Sequence, residues 1–293
     1  VGMYLVTKKV FTRQAGIFAG ILTALYAPFV FYEGLLLKTS IEVVLLPWFL
    51  LLFFLAFQRK TRTHFLYLGL FLGILSLVKG NNLIFIPGII GLLWFLLRDS
   101  TLAKRMTLTA MFVFGVSVCI APVTIRNFIV GNDFVLTNYS FGLVAYQGSW
   151  WGGDGSTALV PPFLRPDPAY EETDAVGMAE AYTERKLLPS EVSSFWLNKA
   201  IEEIFSYPFQ FSKTLFNKVL ILFNHSEFSD NYQFVWYRSQ VPFLWLLPNF
   251  TLVGLLGVLG LVLLFFKHFW ETVVDEKRIF FRRYLPATDH GLM

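Results

Sequence analysis

The side chains best suited to chemistry sit where apolar runs end. Met106 to Ile125 is a twenty-residue apolar run, long enough to cross a bilayer, and it stops at Arg126-Asn127. A guanidinium at such a junction rests at headgroup depth, where its planar five-donor fork suits a lipid phosphate. Lys79, in the turn Lys79-Gly80-Asn81-Asn82, and Lys38 are further cations at run ends, and Glu33 lies two residues past the run Ala15 to Phe31. Beyond Arg126, the segment Phe128 to Gly155 carries turn residues and aromatics, among them Tyr139, Tyr146 and the group Trp150, Trp151 and Asp154. Such a segment faces a ligand, with rings to stack and a carboxylate to accept from hydroxyls. Each residue also has a plainer use. Cations can snorkel as interface anchors, acids can form ion pairs such as Lys38 with Glu42, and Trp can belong to an aromatic belt.

Other chemistries find little support. The four His, at 64, 225, 268 and 290, are scattered, and no His-x-x-x-His, cysteine pair or phosphate-binding glycine loop occurs. No Asp-x-Asp pair is present, so sugar transfer from a metal-bound nucleotide sugar is disfavoured. The residues in hand demand no cofactor, although a loop outside them would leave room for a divalent metal. Cys119, the single cysteine, excludes an intrachain disulfide.

The elements that must position these residues are membrane helices. Hydrophobic residues make up 55% of the 293 and charged ones 15%, with a mean hydropathy of +0.57, which places the chain in the lipid bilayer. A net charge of +4 without a basic stripe argues against a nucleic-acid partner. Apolar runs cover Ala15 to Phe31, Ile41 to Phe57, Phe65 to Val78, Leu83 to Leu97, Met106 to Ile125 and Phe243 to Phe266. The third and fourth are short, so a buried or re-entrant segment competes with a crossing there. Lys and Arg cluster at every second boundary (Lys8 to Arg13, Arg59 to Arg62, Arg98 to Arg105, and after Phe266), as an all-crossing topology with a cytoplasmic start requires. The organisation expected is helices over 1–125, an outer-face region over 126–241, a further helix over 242–266 and a cytoplasmic tail over 267–293. Within the outer region, a helix from Ser190 to Ser206 should bury Trp196, Leu197, Ala200, Ile201 and Ile204, an interfacial helix should cover Phe209 to Phe223, and Gly152 to Pro189 reads as loop. The small-xxx-small spacings Gly16/Gly20 and Gly69/Gly73 read as helix packing.

Four segments, Ala15 to Lys38 (AGIFAGILTALYAPFVFYEGLLLK), Gly69 to Pro87 (GLFLGILSLVKGNNLIFIP), Ala121 to Gly155 and Lys199 to Asn231, resemble in order pieces of the family 39 type, GT-C fold membrane glycosyltransferases. These include protein mannosyltransferase-like and aminoarabinose transferase-like enzymes. The resemblance implies an all-α, multi-pass helix bundle with a mixed loop and helix region on the outer face of the plasma (inner) membrane. It also implies an inverting transfer of sugar from a polyprenyl-phosphate donor to an outer-face acceptor that is lipid, glycan or protein. Lys79 matches a position often Arg in the family's Leu-x-Arg-Pro-Asn-like turn, and Arg126 matches the Arg-Asn pair ending Pro-x-x-x-Arg-Asn. Lys79, Arg126 and Lys38 are therefore expected to bind the donor phosphate, and Glu33, Asn127, Trp150, Trp151, Asp154 and Glu227 the sugar or acceptor. The family's general base, an acid in the first outer loop, would fall upstream of Val1, which makes the chain a fragment truncated at its N-terminus on this reading. A transporter or flippase of lipid-linked saccharides is the alternative, but it should show inverted repeats and broken midplane helices.

Overall fold

The computed structural model describes residues 1–35, 37–155, 159–224 and 234–266. Helices α1 (Gly2–Val10), α2 (Arg13–Ala24), α3 (Ala27–Glu33), α4 (Lys38–Arg59), α5 (Arg62–Val78), α6 (Phe85–Leu96) and α7 (Leu102–Gly131) come first, with a 3-10 turn over Gly80–Ile84 between α5 and α6. Then follow α8 (Phe141–Ser149), α9 (Pro168–Thr183), α10 (Pro189–Ser206), α11 (Pro208–Leu222) and α12 (Phe234–Gln240). The architecture is all-α and belongs to the membrane. Lys38–Arg59, Leu102–Gly131 and Phe243–Phe266 are each long and apolar enough to cross, and α2 with α3, bent by 53°, would make a fourth span. None of the apolar window in Phe243–Phe266 is buried within the chain, so hydrocarbon is the solvent that its side chains require.

Local chemistry sets the ends of these helices. Thr12, Thr61 and Thr101 cap α2, α5 and α7, each accepting a backbone N–H from three residues ahead. The bend between α2 and α3 falls at Leu25-Tyr26 ahead of Pro28, and the Ala27 N–H freed there donates to the Pro248 carbonyl at 2.8 Å. Helix α4 stops at Lys60 and α7 at Asn132, both with left-handed backbone, at φ of 53° and 46°.

The short run Phe65 to Val78 is the buried centre. Helix α5 encloses Phe65, Leu68, Leu72 and Leu75, and α7 answers with Leu108, Phe112, Val116 and Ile120. Glycines let the two backbones meet. A Cβ on Gly69 would overlap the Phe112 carbonyl, one on Gly115 would overlap the Leu66 carbonyl, and one on Gly73 would lie 2.6 Å from the Cys119 Cβ. Contacts from Gly69 to Phe112 and from Gly73 to Cys119 advance together, so α5 and α7 run parallel, and α6 is the return segment that connects them in the chain. Gly16 and Gly20 likewise receive Tyr4 of α1, a helix absent from the sequence expectations.

The region expected at the outer face, 126–241, is more helical than the sequence suggested. Gly152 to Pro189 contains α9, because Asp167 caps Ala169, Pro168 fills the first position and Glu171 sits in the first turn. Its buried face is narrow, Ala175 and Ala179, and so leaves a weak apolar pattern. The ligand-facing stretch also folds, with α7 continuing to Gly131 and α8 following. Helix α10 appears as expected and buries Val192, Trp196 and Ala200, whereas Ile201 is 44% exposed. Gly142 of α8 meets the Ser193 carbonyl of α10 at backbone contact. The expected cytoplasmic tail lies outside the described residues.

Gly69→Ala should destabilise the helix pair by about 1–3 kcal/mol, the usual result of overpacking. Gly91, with nothing within 4 Å of an added Cβ, is the control, and Gly91→Ala should leave stability unchanged or raise it. Thermal unfolding in detergent followed by circular dichroism separates the two.

Candidate functional site

Lys79 ends α5 and is fixed by its surroundings. Its N–H donates to the Leu75 carbonyl at 2.9 Å, and its ammonium lies 3.4 Å from the Glu42 carboxylate. Asn82, 6% exposed, donates from Nδ2 to Glu42 Oε1 at 3.1 Å and to the Leu75 carbonyl at 3.0 Å. Glu42 therefore pairs with Lys79 across two helices, in place of the i,i+4 pairing with Lys38 that the sequence allows. Because α4 runs against α5, Lys38 and Glu33 lie at this same end, and both are exposed.

Arg126 reaches that end from α7. Its side chain is exposed and donates to Asn127 Oδ1 at 3.4 Å. Asn127 is spent on structure, donating to the Val135 carbonyl at 3.0 Å and the Thr137 carbonyl at 3.5 Å, while Thr124 Oγ1 donates to Leu136 O at 2.9 Å. These bonds fold the strap 132–139 back over the end of α7. At the opposite end of the parallel pair, Lys60, Arg62 and Lys104 line a basic cavity of about 640 Å3, as the alternating charge pattern anticipates.

A cavity of about 750 Å3 opens where the Gly80–Ile84 turn meets this strap, α8 and α10. Gly80, Asn81, Leu83 and Ile84 form one wall, with Phe134, Val144 and Leu197 among the apolar groups opposite. A cleft of about 380 Å3 adjoins the cavity, and the two share Asn138, Tyr139, Val144 and Ser193 in their walls. Buried Asp133 anchors the assembly, accepting from the Ser190 N–H at 2.7 Å and the Ser190 hydroxyl at 2.6 Å. That clamp caps the start of α10 with a carboxylate from the end of α7.

None of Lys38, Lys79, Arg126, Glu33 and Asn127 lines this cavity, although Gly80 and Asn81, which follow Lys79 directly, do, and Trp150, Trp151 and Asp154 lie further off. Trp151 accepts no place in it: its N–H donates to Glu203 Oε2 at 3.1 Å, and its ring lies 6.1 Å from Tyr207, at the far end of α10. Trp150 and Asp154 belong to the same loop, which α11 pins through Gln210 and Thr214 to the Gly153 carbonyl and through Asn217 to the Asp154 carbonyl. Eighteen helical residues separate the ends of α10, about 27 Å at 1.5 Å per residue. Tyr146 is a core residue, 4.9 Å from Trp196, while Tyr139 lines both cavities. Glu227 lies outside the described residues. Sequence reasoning overlooked Asp133, Glu171 and Glu172; the Asp167-Pro168 cap ahead of the two glutamates was the available signal. Among the described residues no group of three His, Cys, Asp or Glu is placed to hold a metal.

Residues 1–125 match the model of a family described as dolichyl-phosphate-mannose-protein mannosyltransferase. The match covers 125 of the 293 residues and marks a likeness of that part of the chain to the family. No curated protein and no solved structure matches it. The matched part of the chain contains Glu33, Lys38 and Lys79, and its limit at 125 falls immediately before Arg126. The outer helices α8 to α11 therefore stand on their own geometry.

Of the four ion pairs among the described residues of that region, Arg165–Asp174, Arg185–Glu191 and Lys186–Glu180 have depressed carboxylate pKa values. Asp174 is lowered by its hydrogen bonds from Arg165, Glu180 by Lys186 and Glu191 by Arg185. A lowered folded-state pKa contributes stability above the ordinary carboxylate range and loses it as pH falls through the folded value. The outer region should therefore melt at constant temperature from pH 7 down to about 5 and lose stability below about 4. Arg185→Gln should flatten the Glu191 share of that acid loss, measured by melts across pH in detergent.

Proposed function

We propose that this protein is a glycosyltransferase that moves a sugar, with inversion, from a polyprenyl-phosphate donor to an acceptor at the outer face of the plasma membrane. The observation that carries the reading is the fixed Lys79 turn, which borders a large cavity at the end that α4, α5 and α7 share. Departure of a polyprenyl phosphate builds negative charge on phosphate oxygens, and preorganised cations at that point stabilise the transition state more than the ground state. Lys79 is held there by Glu42 and the buried Asn82, so little reorganisation is needed when the charge develops. The Lys79 side chain is 41% exposed beside the more buried Glu42, so a phosphate can compete with Glu42 for the ammonium. Arg126 supplies a bidentate fork from α7, and Lys38 adds a third charge from the first turn of α4.

The apolar part of the cavity, around Leu83, Ile84, Phe134 and Leu136, suits the first isoprene units of the donor. Glu33, exposed at the helix end that also carries Lys38, is assigned to accept from sugar hydroxyls, and the loop of Trp150, Trp151 and Asp154, at the far end of α10, to a more distant part of an extended acceptor. Asn127 acts by holding the strap, and Glu227 keeps its assignment to the sugar or acceptor from the sequence.

The test is turnover of radiolabelled polyprenyl-phosphate sugars by protein expressed from its complete reading frame. Lys79→Ala and Arg126→Ala should each lower the catalytic rate by about 10- to 1,000-fold, the usual range for removing one stabilising donor. Unchanged turnover in both variants would remove the phosphate assignment.

A further inference from the structure

The smaller cleft has a chemistry of its own. It lies between strap residues 138–140, α8, the start of α9 and α10, and its volume of about 380 Å3 falls within the range of small-molecule sites, about 300–1,000 Å3. Its apolar side is Leu143, Val144, Val176, Val192 and Trp196. Trp196 is 3% exposed, its indole N–H is spent on the Ala175 carbonyl at 3.1 Å, and its ring is stacked 4.8 Å from Phe163. A rigid apolar floor results.

The opposite rim is polar and acidic. Glu171 accepts from Gln147 Nε2 at 2.8 Å through Oε1, and Glu172 accepts from the Tyr139 hydroxyl through Oε1. Burial and Glu172 together push the Tyr139 hydroxyl up, so it stays protonated as the donor in that pair. Among the described residues, neither Glu171 Oε2 nor Glu172 Oε2 has a hydrogen-bond partner. Asn138, Ser140 and Ser193 complete the polar lining, and no Lys or Arg is among the lining residues.

From this arrangement, and resting on the glycosyltransferase reading above, we infer that the cleft is the acceptor's saccharide subsite and takes a neutral or amino-substituted pyranose. A pyranose offers a C–H face to an apolar floor and hydroxyls to carboxylate oxygens, which form charge-assisted hydrogen bonds. Two carboxylates in a cleft lined by no Lys or Arg, the nearby Arg165 being paired with Asp174, repel an anion, so the donor's phosphate belongs at the Lys79 end and acidic sugars are rejected here. The shared wall of Asn138, Tyr139, Val144 and Ser193 then lets a sugar in this cleft direct a hydroxyl toward the larger cavity.

The complete protein in detergent is titrated with a methyl hexoside, a methyl hexosaminide and a methyl hexuronide, with binding read by saturation-transfer NMR. The first two should bind in the millimolar range and the hexuronide at least 10-fold more weakly. Glu171→Gln with Glu172→Gln should weaken the neutral and amino sugars at least fivefold and shift their preference over the hexuronide by about tenfold. Single Gln variants and Tyr139→Phe, each close to isosteric, should give intermediate shifts with unchanged circular dichroism. Equal binding of all three sugars to wild type, or a preference unmoved in every variant, overturns the inference. Turnover of the labelled donor by wild type is measured in parallel. Sugar discrimination without donor turnover would sink the glycosyltransferase reading and with it the acceptor role, leaving a saccharide site only. Donor turnover without discrimination would sink the subsite alone.

Discussion

The contact between α5 and α7 through Gly69, Gly73 and Gly115 constrains everything above it. Lipid offers no hydrophobic drive for helices to associate, so close backbone approach and dispersion must hold the pair. Gly69 and Gly115 meet carbonyls of the facing helix, where any side chain would collide. Parallel packing at that distance sorts the charges by end. Arg62 and Lys104 begin the two helices, and Lys79 and Arg126 stand near their finish. Helix α4, lying antiparallel, delivers Glu42 to Lys79, and buried Asn82 locks that pair to the Leu75 carbonyl.

A second junction carries this order out of the bilayer. Helix α7 continues past its apolar run to Gly131, turns at Asn132, and places Asp133 under the first turn of α10. Both carboxylate oxygens are used there, on the Ser190 amide and hydroxyl, so a buried charge is satisfied and α10 gains its cap in one arrangement. The outer core of Leu143, Leu164, Ala175, Ala179, Val192 and Trp196 is thereby attached to the helices below, and the two adjoining cavities form along the seam. Their chemistry differs in sign. The larger one begins beside a cation and is mainly apolar, whereas the smaller is lined by carboxylates.

How much of this was legible in the sequence follows from period and polarity. Apolar runs marked the membrane helices closely, because hydropathy reports the solvent directly, and the glycine spacings correctly pointed to packing. The length of Phe65 to Val78 raised the prospect of a buried segment, and α5 is indeed the most enclosed helix, though its apolar residues alone could not say what would enclose it. Helix α9 was missed since its buried residues are two alanines on a polar helix. The cation pattern placed Lys79 well, but its partner Glu42 comes from 37 positions earlier in the chain and is chosen by helix packing, which sequence spacing cannot express. Trp150, Trp151 and Asp154 seemed to follow directly on Arg126, yet α8 carries the chain along α10 and delivers them to its other end.

The most direct measurement of the central claim is the distance between the ends of α5 and α7. Spin labels at Lys79→Cys and Arg126→Cys, in a Cys119→Ser background, are read by pulsed EPR in nanodiscs. Parallel helices in glycine contact predict a short distribution below about 20 Å, whereas ends separated by the length of α5, about 26 Å or more, would contradict the arrangement on which the phosphate site depends.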